Sequence, residues 1–205
     1  EFTWLAGQYI DILLPQGERR SFSIANAPTP NAHIELHLRL VSGGVFTQQI
    51  FAAMPEKTLL RLEGPLGGFF LRSGEKPLLF MGGGTGFAPL QAMLQAMQTA
   101  QDSRTVHLYW GAQKPEDLYA QNYLENLKNI WSNFKYTPVL APDLVHEILA
   151  RDYADLRGHE VYMSGPPAMI QAARATFQNI CQLPTHQLFY DSFDYAWQTW
   201  GKQTS

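Results

Sequence analysis

FMGGGTGFAP, residues 80 to 89, packs four glycines into five positions between the apolar run PLLF and the helical pattern LQAMLQAM. Its flanks predict a buried strand running into an amphipathic helix, so the glycines fall where the strand hands over to a helix N-terminus. An αβ sheet binds ligands at the carboxyl ends of its strands, where the first helical turn offers unpaired backbone N–H groups. Glycines there remove side chains that would block a phosphate, and the helix dipole favours its charge. The spacing is not the G-x-G-x-x-G fingerprint. A tight turn packing helix on strand remains the alternative for this stretch taken alone.

Composition narrows the classes of function. Charged residues are 16% of the 205-residue chain and the net charge is −3, so no basic excess points to nucleic acid. The single cysteine, Cys181, excludes an intrachain disulfide, a four-cysteine iron–sulfur cluster and a cysteine-rich zinc site within this chain, and predicts a reducing, cytoplasmic setting. Residues 77 to 101 carry no charge, but four glycines, two prolines and four glutamines there argue against a membrane span. The opening EFTWLAGQYIDILL has no methionine and is already in strand-like alternation, which reads as a chain lacking its first strand, with targeting unread.

Two regions follow from periodicity. QYIDILL, RSFSIAN, HIELHLRLV and TLLRLEG are short strand patterns separated by turn signals, and they predict a small antiparallel barrel over residues 1–74. From Pro77 the runs LLFM, TVHLYWG, FKYTPVL, EVYMSG and QLFYDSF alternate with helical patterns. That alternation predicts a parallel sheet with helices on both faces over residues 75–205, because parallel strands need crossovers. The fold class is therefore two-domain, an antiparallel β-barrel followed by an α/β domain.

Further stretches carry candidate chemistry. In VYMSGPPAMI, Gly165 permits a tight turn, Pro166 and Pro167 suit a helix start, and Ser164 stands at a strand's carboxyl end, although an ordinary turn explains the same residues. In ERRSFSIANAP, strand alternation turns Arg20 and Phe22 one way and Ser23 the other. An arginine fork suits phosphate, an aromatic ring suits a flat conjugated ligand, and a hydroxyl can bond a ring nitrogen. A solvated arginine beside a core phenylalanine is the plainer reading. In SGGVFTQQI, Gly43 and Gly44 make a turn and Thr47 sits near a helix start, as phosphate contact or plain N-cap. His33, His37 and His107 lie in strand patterns and read as structural or solvated.

In order and spacing these elements resemble the ferredoxin–NADP⁺ reductase superfamily, in its branch of flavin reductases, oxygenase reductases and CDP-6-deoxyglucoseen-type reductases. RSFS resembles the R-x-Y-S flavin motif, GVFT the G-x-x-S phosphate turn and GPLGGF the domain-joining turn. GGGTGFAP resembles the dinucleotide pyrophosphate loop, YWGAQKPEDLY the strand and loop after it, and SGPPAM the C-G-P-P-x-M turn with Ser164 in place of cysteine. The resemblance implies a flavin domain holding FAD or FMN and a second domain binding NADH or NADPH. It implies that Arg20 contacts the flavin phosphate, Phe22 packs on the flavin, Gly44 and Thr47 hold a phosphate edge, and Ser23 bonds near flavin N5. It also implies that Gly83, Gly84, Thr85 and Gly86 hold the NAD(P)H pyrophosphate, that Ser164 with Gly165 and Pro166 borders the nicotinamide, and that Phe193 covers the other flavin face. Ser23 and Ser164 are its catalytic candidates; no metal ligands are implied.

The chain departs from that family in lacking a longer loop between YTPVLAP and DLVHEIL, so that Pro142 to Asp143 looks like a splice, and in placing Gln113 where relatives carry an arginine. The second change removes a cation suited to a 2′-phosphate and leans the reading toward NADH. The leading expectation is an NAD(P)H-dependent flavin oxidoreductase passing electrons to an oxygenase or iron–sulfur partner. A free-flavin reductase and a non-enzymatic nucleotide-binding regulatory subunit are the alternatives. Neither nucleic acid nor membrane insertion is expected.

Overall fold

The computed structural model describes residues 2–14, 17–28, 30, 33–40, 50 and 54–193. Its first unit is a three-stranded antiparallel sheet of order β2-β1-β3, with β1 Tyr9–Leu13, β2 Arg19–Ser23 and β3 Arg61–Leu66. Ile10, Ile12 and Ile24 bury one face against Trp4, with Phe22, Leu36 and Leu38 packed around them. β3 carries a bulge: Gly64 and Pro65 stand against Ile10 alone, which lets a proline without an N–H sit in a strand.

The HIELHLRLV stretch departs from its expected strand. Only the Ile24↔Leu36 bridge forms there among the described residues. The Asn26 side chain accounts for this, since its Oδ1 accepts from Glu35 N at 2.8 Å and its Nδ2 donates to His33 O at 2.8 Å, occupying groups a ladder would use.

The second unit matches its predicted alternation closely. Five parallel strands, in order β6-β5-β4-β7-β8, are β4 Leu78–Gly83, β5 Val106–Ala112, β6 Phe134–Leu140, β7 Glu160–Gly165 and β8 Leu188–Ser192. The helices are α1 Phe87–Thr99, α2 Gln121–Ile130, α3 Val145–Asp152 and α4 Pro167–Asn179. Strand alternation splits the core in two. Leu78 and Phe80 face Leu90 and Met93 of α1 and Leu124 of α2, whereas Leu79 and Met81 face Leu149 of α3 and Phe177 of α4. The helices that follow β4 and β7 therefore leave on opposite faces. Between these strands, at their carboxyl ends, the sheet opens the crevice where αβ folds take ligands. At Pro142 and Asp143 the chain closes a turn, with Asp143 N donating to Leu140 O at 3.1 Å and Ala141 N to Ala112 O at 3.1 Å.

At Gly86 the turns after β4 and β7 touch through backbone alone. A Cβ added at Gly86 would lie 2.1 Å from the Ser164 carbonyl oxygen. Gly84 differs, with φ +53° and nothing within 4 Å of its missing Cβ. Gly86→Ala is thus expected to lose about 3 kcal/mol or more, or to fail to fold, because a backbone atom cannot step aside. Gly84→Ala pays only left-handed strain, about 1 kcal/mol. Urea denaturation of the two variants beside the parent checks the contrast.

At the opposite edge of the sheet, His107 is held between Tyr153 Oη at 3.0 Å from Nδ1 and Thr137 Oγ1 at 2.9 Å from Nε2, and Tyr109 donates to Asp152 at 2.9 Å nearby. Burial, helped by Lys135 and opposed by Asp152, pushes the imidazole down from 6.5 to about 4. The folded chain stays neutral there while the unfolded chain takes up a proton, so this contribution to stability is full above pH 6.5 and lost as pH falls toward 4. Thermal unfolding of His107→Gln should depend less steeply on pH across that window than the parent; equal slopes would refute the assignment.

Candidate functional site

The crevice floor is the pair of strand-to-helix turns. After β4 the chain makes a 3₁₀ turn, Gly84–Gly86, directly into α1, and no side chain caps that helix. Phe87 N–H turns back to Gly84 O and Pro89 has no N–H, so the amides that can serve an anion are those of the Gly84–Gly86 turn and of Ala88. The glycines of the quoted stretch divide between two tasks. Gly83 packs under Met169 and Pro166, and Gly86 packs on Ser164, whereas Gly84 and Thr85 line open space.

The antiparallel unit supplies the opposite wall. Tyr9 pairs with Ser23 in register, and continuing the Ile24↔Leu36 bridge places His37 beside Ser23, so these three form a row on one face. A cavity of about 340 Å³ lies at the His37 end, between Arg39 and His37 on one side and Gly84, Thr85, Glu116 and Tyr119 on the other. A second, of about 360 Å³, lies at the Tyr9 end against Gly67, Phe69, Phe189 and Asp191. Between them Ser23 Oγ donates to Asp191 Oδ2 at 3.5 Å. Burial raises the Asp191 carboxyl above the usual carboxylate value, and the Ser23 hydrogen bond offsets part of that rise. A hydroxyl and a carboxyl so placed can hold a proton between them.

Sequence-predicted residues fall as follows. Ser23, Gly84 and Thr85 face the crevice, and Gly165 borders it, with its carbonyl accepting from Phe193 N at 3.3 Å. Pro166 precedes α4 and packs on Gly83. Ser164 stands opposite Gly82 and Asp191 in the sheet, fully buried, and its Oγ is a buried hydroxyl without a partner. Phe22 packs against the core of the first unit, and Arg20, on the same face, donates to Glu18 at 2.6 Å. Gly44 and Thr47 lie outside the described residues.

Sequence reasoning missed Asp191, His37, Glu35, Gln91 and Tyr119. Gln91 of α1 donates to Glu35 Oε1 at 3.0 Å and to Ala25 O at 3.2 Å, tying the two units together. His37 meets Glu35 at 2.9 Å and Tyr119 Oη at 2.7 Å, so it belongs to the crevice wall rather than to solvent or core. One signal was present: His37 alternates with the core residues Leu36 and Leu38, which turns it to the Ser23 side.

The open Gly84–Thr85 turn and two cavities between the antiparallel unit and the parallel sheet fit a flat conjugated ring and a dinucleotide. Among the described residues no helix is long and apolar enough to cross a membrane, and no group of three His, Cys, Asp or Glu could hold a metal.

Comparison with known proteins points the same way. The family described as "Oxidoreductase FAD-binding domain" matches residues 1–71, and "Oxidoreductase NAD-binding domain" matches residues 80–175. The CDP-6-deoxy-L-threo-D-glycero-4-hexulose-3-dehydrase reductase of Yersinia pestis is 42% identical over 203 residues, 93% of this chain and 60% of that protein. The phenol hydroxylase P5 protein of Acinetobacter pittii is 38% identical over 186 residues, 83% of this chain and 52% of that protein. The chain thus spans 52–60% of the length of these curated relatives. Among solved structures, an Amycolatopsis cytochrome P450 reductase superposes with a TM-score of 0.85 at 29% identity, covering 94% of this chain and 62% of the other. By its two domains and these relatives, the chain belongs to the ferredoxin–NADP⁺ reductase superfamily, with an FAD-binding unit followed by an NAD-binding unit.

Proposed function

We propose that this chain is the flavin and nicotinamide module of an NAD(P)H-dependent oxidoreductase that supplies electrons to an oxygenase or iron–sulfur partner, with a flavin unit over 1–74 and a nucleotide unit over 75–205. The observation that carries the reading is that the antiparallel unit meets the parallel sheet at two cavities, one lined by the open Gly84 turn and the other by Asp191, whose carboxylate accepts from Ser23. Reductase components among the relatives, such as that of terephthalate 1,2-dioxygenase in Comamonas, support the choice of partner class.

A flavin held at this site would supply the redox chemistry that links a reduced nicotinamide to an electron acceptor. The chain's own tasks are binding and alignment. Arg20 holds the flavin phosphate, exchanging Glu18 for a better-matched anion. Ser23 orients the ring edge, and Asp191 accepts the Ser23 Oγ–H at 3.5 Å, setting the direction of that hydroxyl. The amides of the Gly84–Gly86 turn with Thr85 receive the pyrophosphate, and Ser164 with Gly165 borders the nicotinamide end. Glu116 and Asp117 add negative charge to the cavity at the Gln113 loop, which supports NADH over NADPH.

Anaerobic rapid mixing of the FAD-loaded chain with NADH should bleach the flavin, and NADPH should do so at least about tenfold less efficiently. No bleaching with either nucleotide would leave the nucleotide-binding regulatory subunit as the reading. Arg20→Ala is expected to weaken flavin binding by about 10- to 100-fold, the loss of a charge-assisted hydrogen bond of about 1.5–3 kcal/mol. An unchanged flavin dissociation constant removes Arg20 from the site.

A further inference from the structure

Across the mouth of the first cavity the two units are joined by side chains, and those side chains lead to the dinucleotide loop. Glu35 accepts from Gln91 of α1 at 3.0 Å and meets His37 Nε2 at 2.9 Å. Burial alone would raise the Glu35 carboxyl, but the hydrogen bonds from His37 and Gln91 outweigh it and hold the group below its usual value. A carboxylate only accepts, so Nε2 of His37 carries the proton, and in the neutral ring Nδ1 then accepts from the Tyr119 hydroxyl at 2.7 Å. The Tyr119 ring stands edge-on to Trp110 at 5.1 Å and 86°. Trp110 stacks on Phe87, the first residue of α1, at 4.5 Å and 26°, and its Nε1 donates to Gly84 O at 2.9 Å.

We infer that Glu35, His37, Tyr119 and Trp110 form a latch running from the flavin unit to the Gly84 carbonyl, and that His37 and Tyr119 are positioning residues for the nicotinamide dinucleotide. The inference rests on reading the crevice as the NAD(P)H site. Gly84 is the loop glycine with left-handed φ and open space at its missing Cβ, so no side chain packs over it, and its carbonyl is held by Phe87 N–H within the turn and by Trp110 Nε1 from outside it. The Trp110 hydrogen bond adds the restraint from outside the turn on the Gly84 carbonyl, the edge contact with Tyr119 holds the indole against Phe87, and the His37 bond ties Tyr119 to the opposite wall. The latch therefore sets both the direction of the loop amides and their distance from Ser23.

Tyr119→Phe removes one hydroxyl from a half-exposed ring and leaves the aromatic contacts in place. His37→Leu removes the same bond from the other side, and His37→Gln keeps a donor for Glu35 and an acceptor for Tyr119. Two measurements test the latch. In the flavin-free chain without nucleotide, hydrogen exchange at the amides of 84–87 should quicken about five- to tenfold in Tyr119→Phe and His37→Leu, and stay near the parent in His37→Gln. By calorimetry on the FAD-loaded chain, NAD⁺ binding should weaken about five- to tenfold in the same two variants, while FAD affinity stays within about twofold. The double variant Tyr119→Phe with His37→Leu should be no worse than His37→Leu alone, since both changes break the same His37–Tyr119 bond and His37→Leu already loses the Glu35 contact as well. Exchange and NAD⁺ affinity at parent values in either single variant, or additive effects in the double variant, overturn the latch. A parent chain that binds no NAD⁺ instead overturns the reading of the crevice, and the exchange measurement, made without ligand, still decides the latch.

Discussion

The backbone of Gly86 lies directly against the carbonyl of Ser164, and the shape of the crevice depends on that contact. Two strand-to-helix turns at the switch point of a parallel sheet leave in opposite directions and ordinarily stand apart by the width of their side chains. Here Gly86 meets the Ser164 carbonyl with no side chain between them. Gly86 brings α1 onto the end of β7, Gly83 lies under Met169 and Pro166, and Gly165 lies against Gly83. The uncapped start of α1 is thereby placed against β7, which pairs with β8, whose Asp191 reaches Ser23 of the other unit. Crowding of glycine in residues 82–86 is thus mainly a packing requirement, and the anion-binding surface is what remains uncovered once that packing is complete.

The α/β half was legible because its strands are buried on both faces. Such strands read as unbroken apolar runs, LLFM and EVYMS, and each is ended by glycine or by a helix start. The antiparallel half was less so. HIELHLRLV has the period of a strand, but whether a strand forms depends on what the neighbouring edge offers. Asn26 offers side-chain groups in place of a ladder. Alternation says which residues share a face and is silent on competition for backbone groups.

The crevice residues were legible in proportion to how local their signal is. Gly84 and Thr85 announce themselves within one turn of chain. Ser23 and Asp191 lie 168 residues apart, and His37 and Tyr119 lie 82 apart, so no spacing rule connects them. Asp191 nevertheless left a trace, a lone carboxylate between Phe189 and Phe193 on the alternating face of a strand pattern, where an uncompensated charge is costly unless it has a partner. The identity of that partner is tertiary information.

Hydride transfer, in the function we propose, requires reacting atoms about 3–3.5 Å apart and aligned, a tolerance narrower than the freedom two linked domains ordinarily have. Two anchors reduce that freedom here. On one side α1 places Gln91 and Gln95 against the backbone at Ala25 and Ala27, with Gln95 accepting from Ala27 N at 2.9 Å. On the other, the segment joining the units is fixed to the parallel sheet: Arg72 lies between the rings of Phe70 and Phe189, at 4.5 and 4.9 Å, and its carbonyl accepts from buried Arg104 at 3.0 Å. Arg104 is itself held by Asp102 at 2.6 Å, so the carbonyl's donor cannot swing away without breaking a buried ion pair. Each bond contributes about 1 kcal/mol to stability, a small part of the total. Their larger effect is on specificity of arrangement, since any other inter-domain angle leaves these buried donors and acceptors unpaired. A crevice framed this way meets its ligands with its walls already in place.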